Sequence, residues 1–93
     1  MKSIERVEQL IRQECDDLAE LLIEKNRAYG NTALNPVNIF SKLTSEEAIR
    51  ARLDDKLSRI RTIGLSDESE DTLKDLNGYI ILLRVSKKLT DDI

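Results

Sequence analysis

Asp71 and Asp75 stand four residues apart at the head of an apolar run from Gly78 to Leu83. A helix stacks both carboxylates on one face. A helix apolar nearly all the way round is buried on more than one side. Two acids aligned with such a helix must meet something positive, either a basic side chain or a metal ion. Lys56 falls inside another apolar stripe, with Arg52 four residues before it and Arg59 three after. Acids and bases gathered in one partly desolvated cleft suit a phosphate ligand. Carboxylates can hold a divalent ion that bridges phosphate oxygens, while Arg and Lys contact the oxygens that remain.

The elements that must position these groups read as helices. Ser3 is a good N-cap for a first helix running to about Tyr29, with Gly30 as the stop. Its stripe is Ile4, Val7, Ile11, Cys15, Leu18, Leu22 and Tyr29, and two charges, Glu14 and Lys25, fall near the middle of it. Gly30 to Asn38 is a polar connection in which Pro36 can open a short helix through Phe40 and Leu43. Thr44-Ser45-Glu46-Glu47 is a capping box for a second helix ending near Ile63 and Gly64. Its stripe is Ile49, Leu53, Leu57, Ile60 and Ile63. Asp67 to Glu70 supplies start signals for a third helix. That helix is expected to pack Leu73, Leu76, Ile80 and Leu83 on one side, with Asp71, Asp75, Gly78 and Leu82 on the other. The charged tail from Lys87 onward is expected to fray.

Each of these residues also has a plainer reading. Asp71 or Asp75 with Lys56 or Arg59 can be an ion-pair network that only fixes helix register. The acids from Asp67 to Asp71 suit a helix N-terminus for capping and dipole reasons alone. Glu14 can be an interhelix partner, and Lys25 can carry its ammonium out past the stripe. Glu14 and Asp17, three apart, can share a ligand. Tyr29 reads as core whose ring or hydroxyl can reach a base or ribose. Asn31 and Asn35 serve as turn formers or as readers of a base. Seven charges within or beside core stripes on three helices tilt the reading toward a site, because desolvating so many is costly without a ligand.

Ninety-three residues make one small domain, whose core is aliphatic because the chain holds one Phe, two Tyr and no Trp. A core this small invites completion by self-association, and a homo-oligomer is expected. One Pro and three Gly favour a few long helices over many short strands. The net charge of −3 carries no footprint for long nucleic acid. The single Cys15 excludes an internal disulfide and fits a reducing cytoplasm. With no His and one Cys, zinc and thiol chemistry are excluded, so any metal would be Mg²⁺ or Mn²⁺. No apolar run approaches a membrane span, and no signal-peptide core opens the chain.

Three segments carry a resemblance: Glu24 to Asn31, Arg52 to Arg59 and Glu70 to Tyr79. In that order they resemble a family of small phage and prophage proteins, the first nucleotide-modification-associated domain, over about residues 20 to 85. That family is named for its neighbourhood with DNA base-modification enzymes, and the resemblance implies a host-cell cytoplasmic location. The acidic third helix resembles, more weakly, the all-α nucleoside triphosphate pyrophosphohydrolases of the MazG and dimeric dUTPase type. These bind Mg²⁺ on acidic helices and cleave the α–β phosphate bond with a metal-activated water. The resemblance implies Glu14, Asp17, Asp71 and Asp75 as metal ligands, the last two also catalytic. It implies Arg52, Lys56 and Arg59 as phosphate holders.

The expectation is therefore an all-α bundle of three main helices with a short helical insert, completed by homo-oligomerisation. Its expected function is nucleotide binding with Mg²⁺-dependent hydrolysis. Asp71 and Asp75 are placed at the reaction centre, and Lys25, Tyr29, Asn31, Asn35, Arg52, Lys56 and Arg59 around the substrate. The alternatives are a non-catalytic binder that sequesters a nucleotide signal or docks on a modification enzyme, and a module whose charges only set helix pairing.

Overall fold

The computed structural model describes residues 3–91 and shows an all-helical protein. Helix α1 spans Ile4–Ala28, α2 Ser45–Ile63 and α3 Thr72–Asp91, and no strand occurs among the described residues. The chain separates into two compact units, one through Gly30 and one from Asn31 onward.

Helix α1 begins where its cap dictates. The Ser3 hydroxyl accepts the Arg6 amide at 3.1 Å, satisfying one of the free donors of the first turn. It ends at Tyr29, whose amide donates to the Lys25 carbonyl at 2.9 Å. Gly30 and Asn31 follow with φ of 61° and 64°, the left-handed backbone that glycine and asparagine tolerate best. The helix buries none of its residues, and Ile4 and Ile11 are 74% and 57% exposed.

The connection departs from the sequence expectation. No helix opens at Pro36. The Leu34 and Asn35 amides both donate to the Asn31 carbonyl, closing a turn, and residues 36–43 run on as irregular chain. Asn38 explains the interruption. Its φ of 53° is left-handed, and its side-chain amide donates to the Leu43 carbonyl at 3.0 Å, so the backbone doubles back before a helix can propagate.

Helix α2 starts with the expected capping box. Thr44 Oγ1 accepts the Glu47 amide at 3.1 Å, and Glu47 Oε1 accepts the Thr44 amide at 3.1 Å. Gly64 ends it at a φ of 95°, a conformation strained for any residue with a Cβ. Helix α3 starts later than the acidic run suggested, with Asp71 as its cap. The Asp71 carboxylate accepts the Lys74 amide at 3.0 Å, and its carbonyl accepts the Asp75 amide at 3.0 Å. The tail does not fray at Lys87. It stays helical through Asp91, helped by a Lys87 Nζ bond to Glu46 Oε1 at 2.9 Å, while residues 92 and 93 lie outside the described residues.

Helices α2 and α3 pack as an antiparallel hairpin. Ser45 faces Ser86 at 3.0 Å between hydroxyl oxygens, Arg52 faces Tyr79, and Lys56 faces Asp75. Seven and then four residues forward along α2 match seven and four back along α3. The face that α3 turns inward is rotated from the expected leucine side: Leu76 and Leu83 of that side are half-buried. Thr72, Gly78 and Ser86 are buried, whereas Leu73 and Ile80 are about half exposed at 51% and 43%. Of the α2 stripe only Ile49 is fully buried, at 1% exposure, while Leu57 and Ile63 remain more than half exposed.

Candidate functional site

Three of the charges that anomalous spacing singled out, Lys56, Arg59 and Asp75, meet near the closed end of the hairpin, where the α2–α3 loop returns. Lys56 Nζ donates to Glu70 Oε1 at 3.0 Å and lies 3.4 Å from Asp75 Oδ2. Arg59 Nε donates to Asp67 Oδ2 and sits 3.2 Å from Glu70 Oε1. Asp67 Oδ1 accepts both the backbone amide and the hydroxyl of Ser69, at 2.8 and 2.7 Å, which closes the loop on itself. Glu70 thus bridges the two cations, and three carboxylates answer two basic groups.

The electrostatics follow from this geometry. The bond from Arg59 holds the Asp67 carboxyl well below the usual carboxylate range, helped by the two bonds from Ser69. The bond to Glu70 raises Lys56 above its ordinary value against the opposing effect of burial, with Asp75 adding to the rise. Arg59 is raised chiefly by Asp67. At the other end of the hairpin, Lys87 lowers Glu46, and the Thr44 backbone amide lowers Glu47.

Carboxyls lowered in the folded state stabilise it above their unfolded values near pH 4, and that contribution disappears as pH falls through the folded values. Lys56, raised, stabilises below its unfolded value near 10.4, and its contribution disappears as pH rises through the folded value. The urea midpoint of the protein is therefore expected to be flat from about pH 5 to about pH 9.5 and to fall on both sides. A midpoint unchanged between pH 5 and pH 3 would show that these carboxylates do not hold their partners in solution.

The other expected site residues lie elsewhere. Asp71 and Asp75 do not converge, because Asp71 sits outside α3 with its carboxylate on the Lys74 amide while Asp75 faces Lys56. Glu14, Asp17 and Lys25 are exposed on α1. Tyr29 is 68% exposed at the helix end, not core, because the chain leaves helical geometry at that residue. Asn31 and Asn35 build the turn, with the Asn35 amide on the Asn31 carbonyl at 2.8 Å. The residues needed for a divalent ion do not fit as a set, for no group of three or more acid, Cys or His ligands comes together among the described residues.

Arg52 differs from its two basic neighbours. It has no carboxylate partner among the described residues, and its guanidinium carbon lies 5.9 Å from the centroid of the Tyr79 ring. Arg52 is exposed and Tyr79 half-buried. The sequence reading missed this cation–π contact, although Tyr79 follows Asp75 by one turn as Arg52 precedes Lys56 by one turn, which was signal enough.

Fold and cluster together define a small all-helical protein whose α2–α3 hairpin is fastened at one end by an ion-pair network. No protein-family model matches the chain, and no similar curated protein or solved structure was found. No helix among the described residues is long and apolar enough to cross a membrane.

Proposed function

We propose that this chain is a nucleotide-binding protein whose ligand docks on the Arg52–Tyr79 edge of the α2–α3 hairpin. The observation that carries the reading is the state of the three basic residues on α2. Lys56 and Arg59 are already neutralised by Asp67, Glu70 and Asp75, whereas Arg52 offers a charge to an incoming anion. A planar guanidinium over an aromatic ring is also a surface on which a base stacks, and Arg donors suit a phosphate bidentately. The resemblance to nucleotide-modification-associated proteins adds the ligand class.

On this reading the Lys56–Arg59 network is scaffold. It sets the register that brings Arg52 over Tyr79, and Asp75 acts by positioning Lys56. Binding without turnover is the activity this arrangement favours, since its carboxylates are committed to cations of the chain itself.

Thermal unfolding against a panel of nucleoside mono- and triphosphates, with and without Mg²⁺ or Mn²⁺, tests the proposal. A nucleotide that raises the melting temperature without metal is the expected result. Arg52→Ala is expected to weaken that nucleotide about tenfold or more, the loss of one charge-assisted contact, with the unliganded melting temperature nearly unchanged. Tyr79→Leu, which keeps the packing and removes the ring face, should weaken it severalfold. Stabilisation that requires metal and is accompanied by phosphate or pyrophosphate release would replace binding with hydrolysis. No stabilisation by any nucleotide would overturn both readings.

A further inference from the structure

Helix α1 carries a heptad pattern along its full length. Ile4, Ile11, Leu18 and Lys25 recur every seven residues, and Val7, Glu14, Leu21 and Ala28 recur every seven between them. In coiled-coil terms these are the two inward-facing positions. Six of the eight are apolar or small, and the two exceptions are one acid and one base. The helix buries none of its residues fully, and six of these eight are exposed, with Leu18 and Leu21 half-buried.

We propose that α1 pairs antiparallel with α1 of a second copy of this chain, in the one register that sets Glu14 against the partner's Lys25. In antiparallel pairs the two kinds of inward position face each other across the seam. If Glu14 meets the partner's Lys25, the two-fold axis makes Lys25 meet the partner's Glu14. The same register places Leu18 against the partner's Leu21 at the centre and Ile11 against the partner's Ala28 near each end. Shifting by one heptad instead sets Glu14 against the partner's Leu18 and Lys25 against the partner's Val7, leaving all four charges unanswered in the seam. A parallel pair sets Glu14 on Glu14 and Lys25 on Lys25. Charge complementarity thus selects both the direction and the register, as a single polar layer does in other coiled coils.

The shared stretch from Ile11 to Ala28 is about 27 Å long at the helical rise. The carboxylates of Asp17 and Glu24 flank the seam at its solvent edge, where mutual repulsion is screened by salt. The proposal draws on residues of α1 alone, and its test does not depend on nucleotide.

The experiment is sedimentation equilibrium of the full chain, with circular dichroism to confirm helix content. The wild-type chain is expected to be a dimer at micromolar concentration. Glu14→Lys alone and Lys25→Glu alone are each expected to weaken the dimer on the order of tenfold to a hundredfold, since each exchanges two attractive pairs for two repulsive ones. The double variant Glu14→Lys/Lys25→Glu, and an equimolar mixture of the two single variants, should recover wild-type affinity. A monomeric wild-type chain at hundred-micromolar concentration would overturn the pairing. A dimer indifferent to either single swap would overturn the antiparallel register, because in a parallel pair each swap exchanges one like-charge layer for another.

Discussion

Lys56→Met is expected to cost the α2–α3 hairpin about 2–3 kcal/mol, although methionine fills nearly the same space. The loss is electrostatic. Lys56 is the only cation within reach of Asp75 among the described residues, at 3.4 Å, and it donates to Glu70 at 3.0 Å. Its side chain is 19% exposed and that of Asp75 24%, so water reaches the pair only in part. Removing the ammonium leaves a half-buried carboxylate with no counter-charge, and that desolvation is no longer offset. The figure is set below the range for a fully buried pair because both groups keep some solvent.

Asp75→Leu on the Lys56→Met background should recover most of the loss, because an apolar pair of similar size replaces the ion pair. Glu70 also has Arg59 at 3.2 Å, a second cation that none of the substitutions removes, which isolates Asp75 as the orphaned group. Urea unfolding of the four members of this cycle gives the coupling directly. A double variant no more stable than Lys56→Met would show that the lysine matters through something other than Asp75. Equal stability of all four would remove the network from the account of the fold.

Ile49→Ala should be the most damaging single truncation in the hairpin, by about 2–4 kcal/mol. Ile49 is the only large apolar residue fully buried among the described ones, at 1% exposure. It sits on α2 between the Ser45–Ser86 contact and the Arg52–Tyr79 contact, opposite the stretch of α3 where Leu82 and Leu83 are half-buried. With so few other side chains closed off from water, the hairpin has little material to collapse into the space. For a unit of this size the change is roughly 15–30 °C in melting temperature. Leu57→Ala, at a site 53% exposed, is the control and should cost well under 1 kcal/mol in the isolated chain. If the two variants melt together, the hairpin is held by its ends and not by its centre.

Much of the architecture was legible because it is written in local chemistry. Ser3, Thr44 with Glu47, and the left-handed stops at Gly30 and Gly64 act within one helical turn, so helix limits follow from neighbouring residues alone. The same locality made Lys56 conspicuous, since a lysine inside an apolar stripe requires a partner wherever the helix packs. The partner could not be read in the same way. Asp71 and Asp75 look equivalent by spacing, yet one is consumed by the Lys74 amide and the other turns to Lys56. Glu70 and Asp67 became central only when the loop folded back past Arg59.

What the sequence determined by itself is the helical character of the chain, its capped limits and the presence of charges that demand company. Those depend on propensity and on interactions three or four residues apart. Only the tertiary structure decided which face of α3 is inner. Periodicity favoured Leu73, Leu76, Ile80 and Leu83 together, but the packed helix keeps only Leu76 and Leu83 of these half-buried and buries Thr72, Gly78 and Ser86. That choice set the register of α2 against α3, and the register in turn decided that Lys56 would be neutralised while Arg52 would lie over Tyr79. Contacts between residues far apart in sequence depend on how two helices nest, and no local rule carries that information.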